Sequence, residues 1–445
     1  MCLSGADCKI LENHFGAGYE FMIRLWSDAS YQQKMFYMVL LGLFFRLVWG
    51  LLVPVEPVSD SVVYARTAEN IALHGVYGVE PDKPFSYWPV GAAAVYALGY
   101  KLFGISSTVV VLLNLIASVA LIYTSGLLAC RWFDKKTALV TVGILACWPS
   151  LIMYVTIFAS EIFFALFCNL ALLAWRMETR RWVLRAVITG VMIAAASYVR
   201  PVSLLLPFVL GGIEIILTKR VAQSVIAIFI VLVASAAVIA PWAVRNSQLH
   251  GGFVLISTNG GPNLWMGNNQ DSTGSYMPLP EFTRKISEYE RDKVLGAEAK
   301  EYMFENPGHT AIMFFRKLID THARETIAVH WNGPGLKDTL GGWVLIPFKF
   351  ITQVYWVIVL MFALAGTAAV IRGACRQHSF LSATQSLVSP PLVYWLYFAV
   401  LHAVIVSQDR YHFPSIPFIA MLSAISINLV WSWLTAAMQE KQHAR

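Results

Sequence analysis

Residues 222–243 read AQSVIAIFIVLVASAAVIAPWA and contain no charged side chain. A helix needs about 20 consecutive apolar residues to cross the hydrocarbon core of a bilayer, so this segment predicts a transmembrane helix. The whole chain has the same character. Of its 445 residues, 57% are hydrophobic and 13% are charged, whereas a soluble domain carries about 25% charged residues. The composition indicates a polytopic membrane protein.

Ten apolar segments of this length predict the fold class, an all-α membrane protein with about ten transmembrane helices and interfacial helices in its outer loops. The predicted spans lie at about residues 35–53, 107–130, 137–156, 158–176, 182–199, 201–218, 222–243, 343–371, 388–407 and 412–436. The apolar stretch Gly91–Phe103 is shorter, and we expect it to be interfacial or re-entrant. Residues 1–34 are polar and mixed, and do not read as a cleavable signal peptide.

Short clusters of Lys and Arg between the spans set the expected orientation. Positively charged loops favour the cytoplasmic side, and placing both termini inside puts the clusters there. These cytoplasmic basic residues are Lys9, Arg24, Lys34, Arg131, Lys135, Lys136, Arg176, Arg180, Arg181, Arg185, Lys219, Arg220, Arg372, Arg376, Lys441 and Arg445. The net charge of +7 is therefore attributed to topology rather than to nucleic-acid binding.

The chain divides into three regions under this topology. Residues 1–243 form an N-terminal transmembrane catalytic module that includes a first outer loop at 54–106. Residues 244–342 form a long outer loop, rich in Gly, Asn and Ser and then charged from Glu281 to Glu305. Residues 343–445 hold the C-terminal helices. The six cysteines include no C-x-x-C pair, so neither a structural disulfide nor a zinc site is expected.

Polar residues from several spans converge on the outer face, and this convergence predicts a functional site there. Asp60 directly follows the first span, in Ser59-Asp60-Ser61. It could act as a helix N-cap, or as a base whose pKa is raised by desolvation. The other polar groups expected on this face are Glu161, Arg200, Arg245 and residues 407–414.

Each of these groups has a simpler structural interpretation. Asp82 and Lys83 could form a solvated turn, or place a second carboxylate and an ammonium near a phosphate. Arginines at helix ends often extend their heads to the interface, but Arg200, Arg245 and Arg410 together could bind an anion through bidentate contacts.

Acidic residues favour the first turn of a helix in any case, which would explain Glu161. Arg46 lies deeper in the first span, and the sequence leaves open whether it is buried and paired or extends to the interface. Among the histidines, His412 stands out because it follows Arg410 and Tyr411 directly.

Taken in order, these segments resemble the GT-C superfamily of membrane glycosyltransferases, in the group that contains protein O-mannosyltransferases and lipid A aminoarabinose transferases. The resemblance rests on Ser59-Asp60 and on the motifs YARTAENIALHGVYG, DKPFSYWPVG…LFG, SYVRP, APWAVRN, NGGPNLWMGNN and DRYHFPSIP. It implies a GT-C-like bundle in which the acidic residue of the first outer loop, here Asp60, is essential.

The resemblance also implies further site residues. Asp82-Lys83-Pro84 resembles an acidic-Lys-Pro turn near the donor phosphate, although Asp stands in place of the usual Glu and Tyr87 follows one residue sooner. Ser61 stands where the mannosyltransferases have Glu. From these motifs and from the convergence on the outer face, we predict the substrate-binding residues Lys83, Arg200, Arg245, Arg410, Tyr411, His412, Tyr64, Glu161 and Asn263, with Asp60 and Asp82 as catalytic residues.

The function predicted is transfer of a monosaccharide from a polyprenyl-phosphate donor to an acceptor hydroxyl, with inversion and with Asp60 as general base. The acceptor is a lipid, a glycan or a surface protein such as a pilin, and membrane lipids are the surroundings. No metal ligand set is predicted, and a divalent cation stays open. The expected location is a bacterial inner membrane, with the site facing the periplasm. The alternatives are a transporter or flippase of lipid-linked sugars, or a glycan or O-antigen ligase.

Overall fold

The computed structural model describes residues 28–177, 181–377, 384 and 387–443. Helix makes up 79% of the structure, and no β-strand occurs in the described part of the chain. The prediction of an all-α fold is confirmed. The basic residues Lys9, Arg24, Arg180 and Arg445 and the cysteines Cys2 and Cys8 lie outside the described residues.

The α-helices are numbered in chain order. They are α1 (Tyr31–Leu52), α2 (Asp60–His74), α3 (Gly91–Phe103), α4 (Ser107–Trp132), α5 (Lys135–Ala146), α6 (Pro149–Met153), α7 (Glu161–Trp175), α8 (Trp182–Val199), α9 (Leu206–Thr218), α10 (Val221–His250), α11 (Gly260–Gly267), α12 (Glu288–Glu305), α13 (Pro307–Ala323), α14 (Ile327–Trp331), α15 (Gly333–Leu340), α16 (Leu345–Cys375), α17 (Pro390–Val404) and α18 (Ile416–His443). Short 3₁₀ turns are Tyr154–Thr156, Pro201–Leu205, Glu281–Arg284, Gly342–Val344 and Phe413–Ser415.

Each of the ten predicted spans coincides with a helical segment. Within the described ranges, seven helical segments are long and apolar enough to cross a membrane, and α5 with α6 makes an eighth if the bent pair is one span. The other two, α7 and α17, are apolar helices of 15 residues each. The short segment α3 is a helix at the bounds expected from the sequence. The helices fit a multi-pass membrane protein.

Arg46 supports the break between α5 and α6, where the chain bends by 58°. Pro149 begins α6 and cannot continue the hydrogen-bond ladder of α5. The buried guanidinium of Arg46 donates to the carbonyls of Leu145 and Ala146, each at 3.0 Å, and to Ser118 Oγ at 2.7 Å. It thereby satisfies backbone acceptors that the end of α5 leaves unpaired. Arg46 is therefore buried and does not extend to the interface.

Close helix packing surrounds the central helices of the bundle. The helix α7 packs between α4 and α8, while α8 also packs along α10, and α16 lies against α18. At the last contact, a Cβ on Gly366 would lie 2.0 Å from the carbonyl oxygen of Leu422. Small residues allow this approach of two backbones, which is a common packing mode of membrane helices.

The helices α2, α3 and α11 to α15 gather at one end of the bundle, which we name the loop end. They are joined there by the 405–412 link between α17 and α18. The contacts of α2 with α3, of α11 with α12 and of α13 with α17 connect this layer and attach it to the bundle. The polar side chains described next all lie at this end.

Candidate active site

Asp60 is the first residue of α2 and faces a partner from the other end of the chain. The residue before it, Ser59, has φ +52° and makes no side-chain capping hydrogen bond. A non-glycine residue in this backbone region is strained, a feature that clusters at functional sites. The carboxylate of Asp60 forms an ion pair with the guanidinium of Arg410. Asp60 is therefore not the N-cap residue of α2, and its side chain instead contacts a residue distant in sequence.

Arg410 lies at the centre of this cluster, in the 405–412 link. Besides Asp60, it faces Glu161 at 3.7 Å, and its guanidinium lies 4.7 Å from the ring centre of Trp331. Its Nε donates to Gln408 at 2.8 Å. Burial alone would lower the pKa of Arg410, but Asp60 and Glu161 raise it above the ordinary value, so the residue is a permanent cation.

Glu161 and Arg200 extend the cluster into a continuous chain of charges. Glu161 begins α7 and is fully buried, and it pairs with Arg200 at 2.5 Å. Arg200 also donates from Nε to Ser160 Oγ at 3.0 Å. Because a buried charge is stable only when paired, Glu161 holds both Arg200 and Arg410 in place. Arg200 and Arg410 are far apart in sequence, but both lie beside the carboxylate of Glu161.

A second network positions the start of α7. The side chain of Asn114 donates to the carbonyls of Val155 at 3.1 Å and Ile157 at 2.9 Å. Tyr96 donates to Asn114 Oδ1 at 2.8 Å and accepts from the backbone N–H of Ala159 at 3.1 Å. These contacts satisfy the unpaired backbone after the bent span, and so fix the residues that lead directly into Glu161.

The charged chain borders a cleft of about 370 Å³, which we name the first cleft. Burial raises the pKa of Tyr64 to about 12, so its hydroxyl stays protonated at neutral pH. The residues predicted from the sequence that line this cleft are Asp60, Tyr64, Arg200, Asn263, Arg410 and Tyr411. The cleft also holds residues that were not among the predicted site residues, namely Tyr87 and Trp88 of the quoted DKPFSYWPVG motif, His402 and Tyr276.

His402 has the least obvious sequence signal of these additions, because it lies within an apolar predicted span. Its ring stacks on Tyr411 at 4.4 Å, and its Nε2 has no hydrogen-bond partner in the described chain. A polar residue inside a transmembrane segment is a functional candidate in general, so the position of His402 within an apolar run is the sequence signal that identifies it.

Two further predicted residues lie in an exposed turn away from the first cleft. Lys83 forms a salt bridge with Glu80 at 2.5 Å on the surface, and Asp82 precedes it in the same turn. Neither lines the first cleft. The structure does not bring this turn to the charged cluster, and a catalytic role for Asp82 and a binding role for Lys83 stay predictions.

Arg245 and His412 also lie outside the first cleft. Arg245 donates to the carbonyl of Phe85 at 2.8 Å and stacks on Trp242 at 4.7 Å, which ties α10 to the first loop. His412 is buried behind the 405–412 link, where it pairs with Glu325. Their contacts are those of residues that hold the site together.

An apolar groove of about 490 Å³ adjoins the first cleft. Val199 lines both, and Pro89 of the cleft precedes Val90 of the groove. The groove runs between α3, α8 and α10, with Tyr198 and Trp242 among its walls. A ligand with a polar head and a long apolar tail could occupy both spaces at once.

Among the residues that the structure describes, no three His, Cys, Asp or Glu side chains are grouped closely enough to hold a metal ion. Arg200 and Arg410 bring two guanidinium groups to the lining of the first cleft.

The first comparison is with protein families. Residues 82–244 match the family described as dolichyl-phosphate-mannose-protein mannosyltransferase. This region contains Asp82, Glu161 and Arg200, but not Asp60 or Arg410. No curated protein sequence matches the chain.

The second comparison is with solved structures. The oligosaccharyltransferase of Archaeoglobus fulgidus in its apo form has a TM-score of 0.56 at 14% identity, covering 95% of this chain and 53% of that one. The archaeal oligosaccharyltransferase AglB from the same organism, in complex with an inhibitory peptide and a dolichol-phosphate, gives 0.57 at 14% identity and covers 94% and 52%. The chain thus spans about half the length of these relatives.

ArnT from Cupriavidus metallidurans bound to undecaprenyl phosphate is less similar, with a TM-score of 0.44 at 15% identity and coverage of 88% of this chain and 77% of that one. The archaeal enzymes show a shared fold, because their similarity extends over nearly the whole of this chain at TM-scores above 0.5. The resemblance of this chain to GT-C glycosyltransferases is confirmed, by the family match over residues 82–244 and by the fold.

Proposed function

We propose that this protein is a glycosyltransferase that moves a sugar from a polyprenyl-phosphate donor to an acceptor hydroxyl. The observation that carries the proposal is the ion pair between Asp60 and Arg410, beside Arg200, in a cleft continuous with an apolar groove. A carboxylate next to two guanidinium groups offers a base and an anion site in one place.

The donor would bind with its head in the first cleft and its tail in the adjoining groove. A polyprenyl chain is apolar and enters between helices, while its phosphate needs cations in a partly dry site. Arg200 and Arg410 supply those cations. The complex of archaeal AglB contains a dolichol-phosphate, and the shared fold supports a lipid-linked donor for this chain.

The reaction would be a direct displacement with inversion. The oxygen of the acceptor hydroxyl bonds to the anomeric carbon while the bond from that carbon to the phosphate oxygen breaks. The hydroxyl proton passes to Asp60, and the polyprenyl phosphate leaves with the electron pair as an anion. Arg200 and Arg410 stabilise that anion, so a separate general acid is less necessary than in glycoside hydrolysis.

The location proposed is a bacterial inner membrane, with the loop end facing the periplasm and both termini in the cytoplasm. Nucleotide sugars are absent from the periplasm, which favours a lipid-linked donor. In this arrangement residues 1–243 form the catalytic module, 244–342 the outer loop region and 343–445 the C-terminal helices. A transporter or flippase would place ionisable residues along a path at mid-membrane depth, whereas Asp60, Glu161, Arg200 and Arg410 lie at one end.

The donor site is tested by binding of undecaprenyl phosphate to the purified protein in neutral detergent, with uncharged undecaprenol as the control ligand. Arg200→Lys keeps a charge opposite Glu161 but loses the bidentate fork, so we expect about tenfold weaker binding of the phosphate. Arg372→Gln, at the other end of the bundle, is the matched control and should bind as the wild type does. Equal affinity of the wild type for undecaprenyl phosphate and undecaprenol would disprove the donor site.

A further inference from the structure

His402 is a buried polar residue of the first cleft to which the proposed reaction gives no role. The residue is 6% exposed, and its Nε2 has no hydrogen-bond partner in the described part of the chain. Other buried side-chain atoms also lack a partner, but among those that the structure describes only the Nε2 of His402 belongs to the lining of the first cleft. A buried polar group without a partner is unfavourable for folding, so this nitrogen is a candidate for contact with a ligand.

Two other polar side chains of the same cleft already have protein partners. The Oδ1 of Asn259 accepts a hydrogen bond from the hydroxyl of Ser257 at 2.9 Å. The Oε1 of Gln408 accepts from the Nε of Arg410 at 2.8 Å. Their oxygens are held by the protein, whereas the Nε2 of His402 keeps its full hydrogen-bonding capacity.

The imidazole of His402 is held in place by its own helix and by the link that follows it. Its ring stacks on the ring of Tyr411, with 4.4 Å between the ring centres. Trp395 lies two turns earlier on the same face of α17, and its Nε1 donates to the Nε2 of His322 at 2.9 Å. This bond fixes the rotation of α17, so His402 cannot turn away from the cleft to find another partner.

The end of α17, two residues after His402, is fixed as well. The Nζ of the buried Lys317 and the Nδ2 of Asn268 each donate to the carbonyl of Val404 at 2.9 Å. Carbonyls at the end of a helix have no partner within the helix, and these two side chains supply one. The position of the imidazole is therefore set before any ligand binds, which lowers the free-energy cost of recognition.

The charged and titratable groups that act on His402 are Arg200, His322 and His412. None of them is acidic, so a protonated imidazole would have no counter-charge, and we take the ring to be neutral. A neutral imidazole has one N–H donor and one acceptor nitrogen. It suits a hydroxyl, which both donates and accepts, whereas a phosphate is better bound by guanidinium groups.

We infer that His402 determines which sugar the donor carries, through a hydrogen bond between its Nε2 and a hydroxyl of that sugar. The inference rests on the proposed function, which places the head of the donor in the first cleft. Arg200 and Arg410 bind the phosphate there, and His402 contacts the uncharged sugar beside it. A site that hydrogen-bonds a hydroxyl rejects a sugar without a hydroxyl at that place, because the buried nitrogen is then left unpaired.

The test measures binding to the purified full chain in neutral detergent. Its ligands are undecaprenyl phosphate alone and undecaprenyl phosphate carrying mannose, glucose or galactose, which differ in the orientation of single hydroxyl groups. We expect one of the three sugar-linked ligands to bind the wild type about tenfold more tightly than undecaprenyl phosphate. Equal affinity of the wild type for all four ligands would overturn the inference.

Two variants of His402 separate recognition from packing. His402→Phe keeps an aromatic ring on Tyr411 but cannot form a hydrogen bond, so it should lose about tenfold for the preferred ligand and nothing for undecaprenyl phosphate. Because it removes an unpaired buried nitrogen, it should also raise the thermal unfolding temperature of the ligand-free protein. His402→Gln keeps a donor and an acceptor and should retain part of the preference.

The matched control is Ser389→Ala. The Oγ of Ser389 is another buried atom without a partner, directly before α17 and outside the first cleft. This variant should keep the wild-type affinity for all four ligands. A lower unfolding temperature of His402→Phe, together with an equal loss of affinity for all four ligands, would show a purely structural role and overturn the inference.

The same measurements distinguish this inference from the proposed function. Failure of all four ligands to bind the wild type would remove the donor site, and the inference with it. If undecaprenyl phosphate binds and Arg200→Lys weakens it, while His402→Phe keeps the wild-type sugar preference, the donor site stands and only the inference is overturned.

Discussion

At the scale of single residues, Asp60 is the side chain on which the proposed chemistry depends. Its side chain is 27% exposed and lines the first cleft, and its partner Arg410 keeps a second acidic neighbour, Glu161. Replacing the carboxylate by an amide would therefore leave Arg410 with a counter-charge. Asp60→Asn should therefore remove the proton-accepting group while it leaves the packing around Arg410 in place.

We expect Asp60→Asn to accumulate and fold normally and to reduce sugar transfer by about 10²-fold or more, because an amide cannot accept the acceptor proton. Transfer is measured by mass spectrometry of lipids, glycans and surface proteins from cells with and without each variant. Asp271→Asn, at an exposed carboxylate of the loop end outside the first cleft, is the matched control and should retain most of the activity. Normal transfer by Asp60→Asn would leave the base unidentified.

At the scale of structural elements, the link between α17 and α18 is held by a buried network. His412 pairs with Glu325, and its Nδ1 donates to the carbonyl of Thr321 at 2.8 Å. Trp148 donates to the other oxygen of Glu325 at 3.1 Å, and Trp356 stacks on His412 at 4.3 Å. The network joins α13 and the bent span to the link that carries Arg410, so it positions the charged cluster from behind.

This network predicts a dependence of stability on pH. Burial lowers the pKa of His412, but Glu325 more than offsets this and raises it above the ordinary value. A raised pKa in the folded state means that the stabilisation is complete below the unfolded pKa of about 6.5 and is lost as the pH rises through the folded value. We expect the thermal unfolding temperature to fall over this range above about pH 6.5.

Glu325→Gln should remove that slope, because His412 is then left buried without a negative partner and loses its proton. Breaking a buried pair should also lower the free energy of unfolding by about 3 kcal/mol or more. The measurement is thermal unfolding in detergent from about pH 5.5 to 9. His309→Gln, a change on the same helix α13, should keep the wild-type slope. An unchanged slope in Glu325→Gln would assign the pH dependence to other groups.

At the scale of the whole molecule, the proposal requires that the loop end face the outside of the cell. Gln270 is an exposed residue of the loop end, and Arg220 is exposed in the short connection at the opposite end of α10. In a chain whose six cysteines are replaced by serine, Gln270→Cys should react with an impermeant thiol reagent added to intact inner-membrane spheroplasts. Arg220→Cys should react only after the membrane is permeabilised. The reverse pattern would invert the topology and place the site in the cytoplasm.

Much of the architecture could be predicted from the sequence, because the signals involved are local. A span is recognised from a continuous apolar run, and all ten predicted runs coincide with helical segments, as does the shorter apolar stretch that forms α3. The convergence of Asp60, Arg200 and Arg410 followed from the order of the spans, since alternate connections must lie on the same side of a membrane. These properties depend on the residues within one segment and on whether an even or odd number of membrane spans separates two connections.

Which polar groups touch one another was decided only by the tertiary structure. Asp60 and Arg410 are 350 positions apart, and no local pattern relates them. Lys83 belongs to a quoted motif but lies in a surface turn, paired with Glu80. His412 belongs to another quoted motif but is buried behind the 405–412 link, paired with Glu325. His402 comes from an apolar run, and it lines the first cleft. Desolvation and pairing of charges depend on neighbours from several helices, so the ion pairs and the first cleft exist only once these helices are packed together.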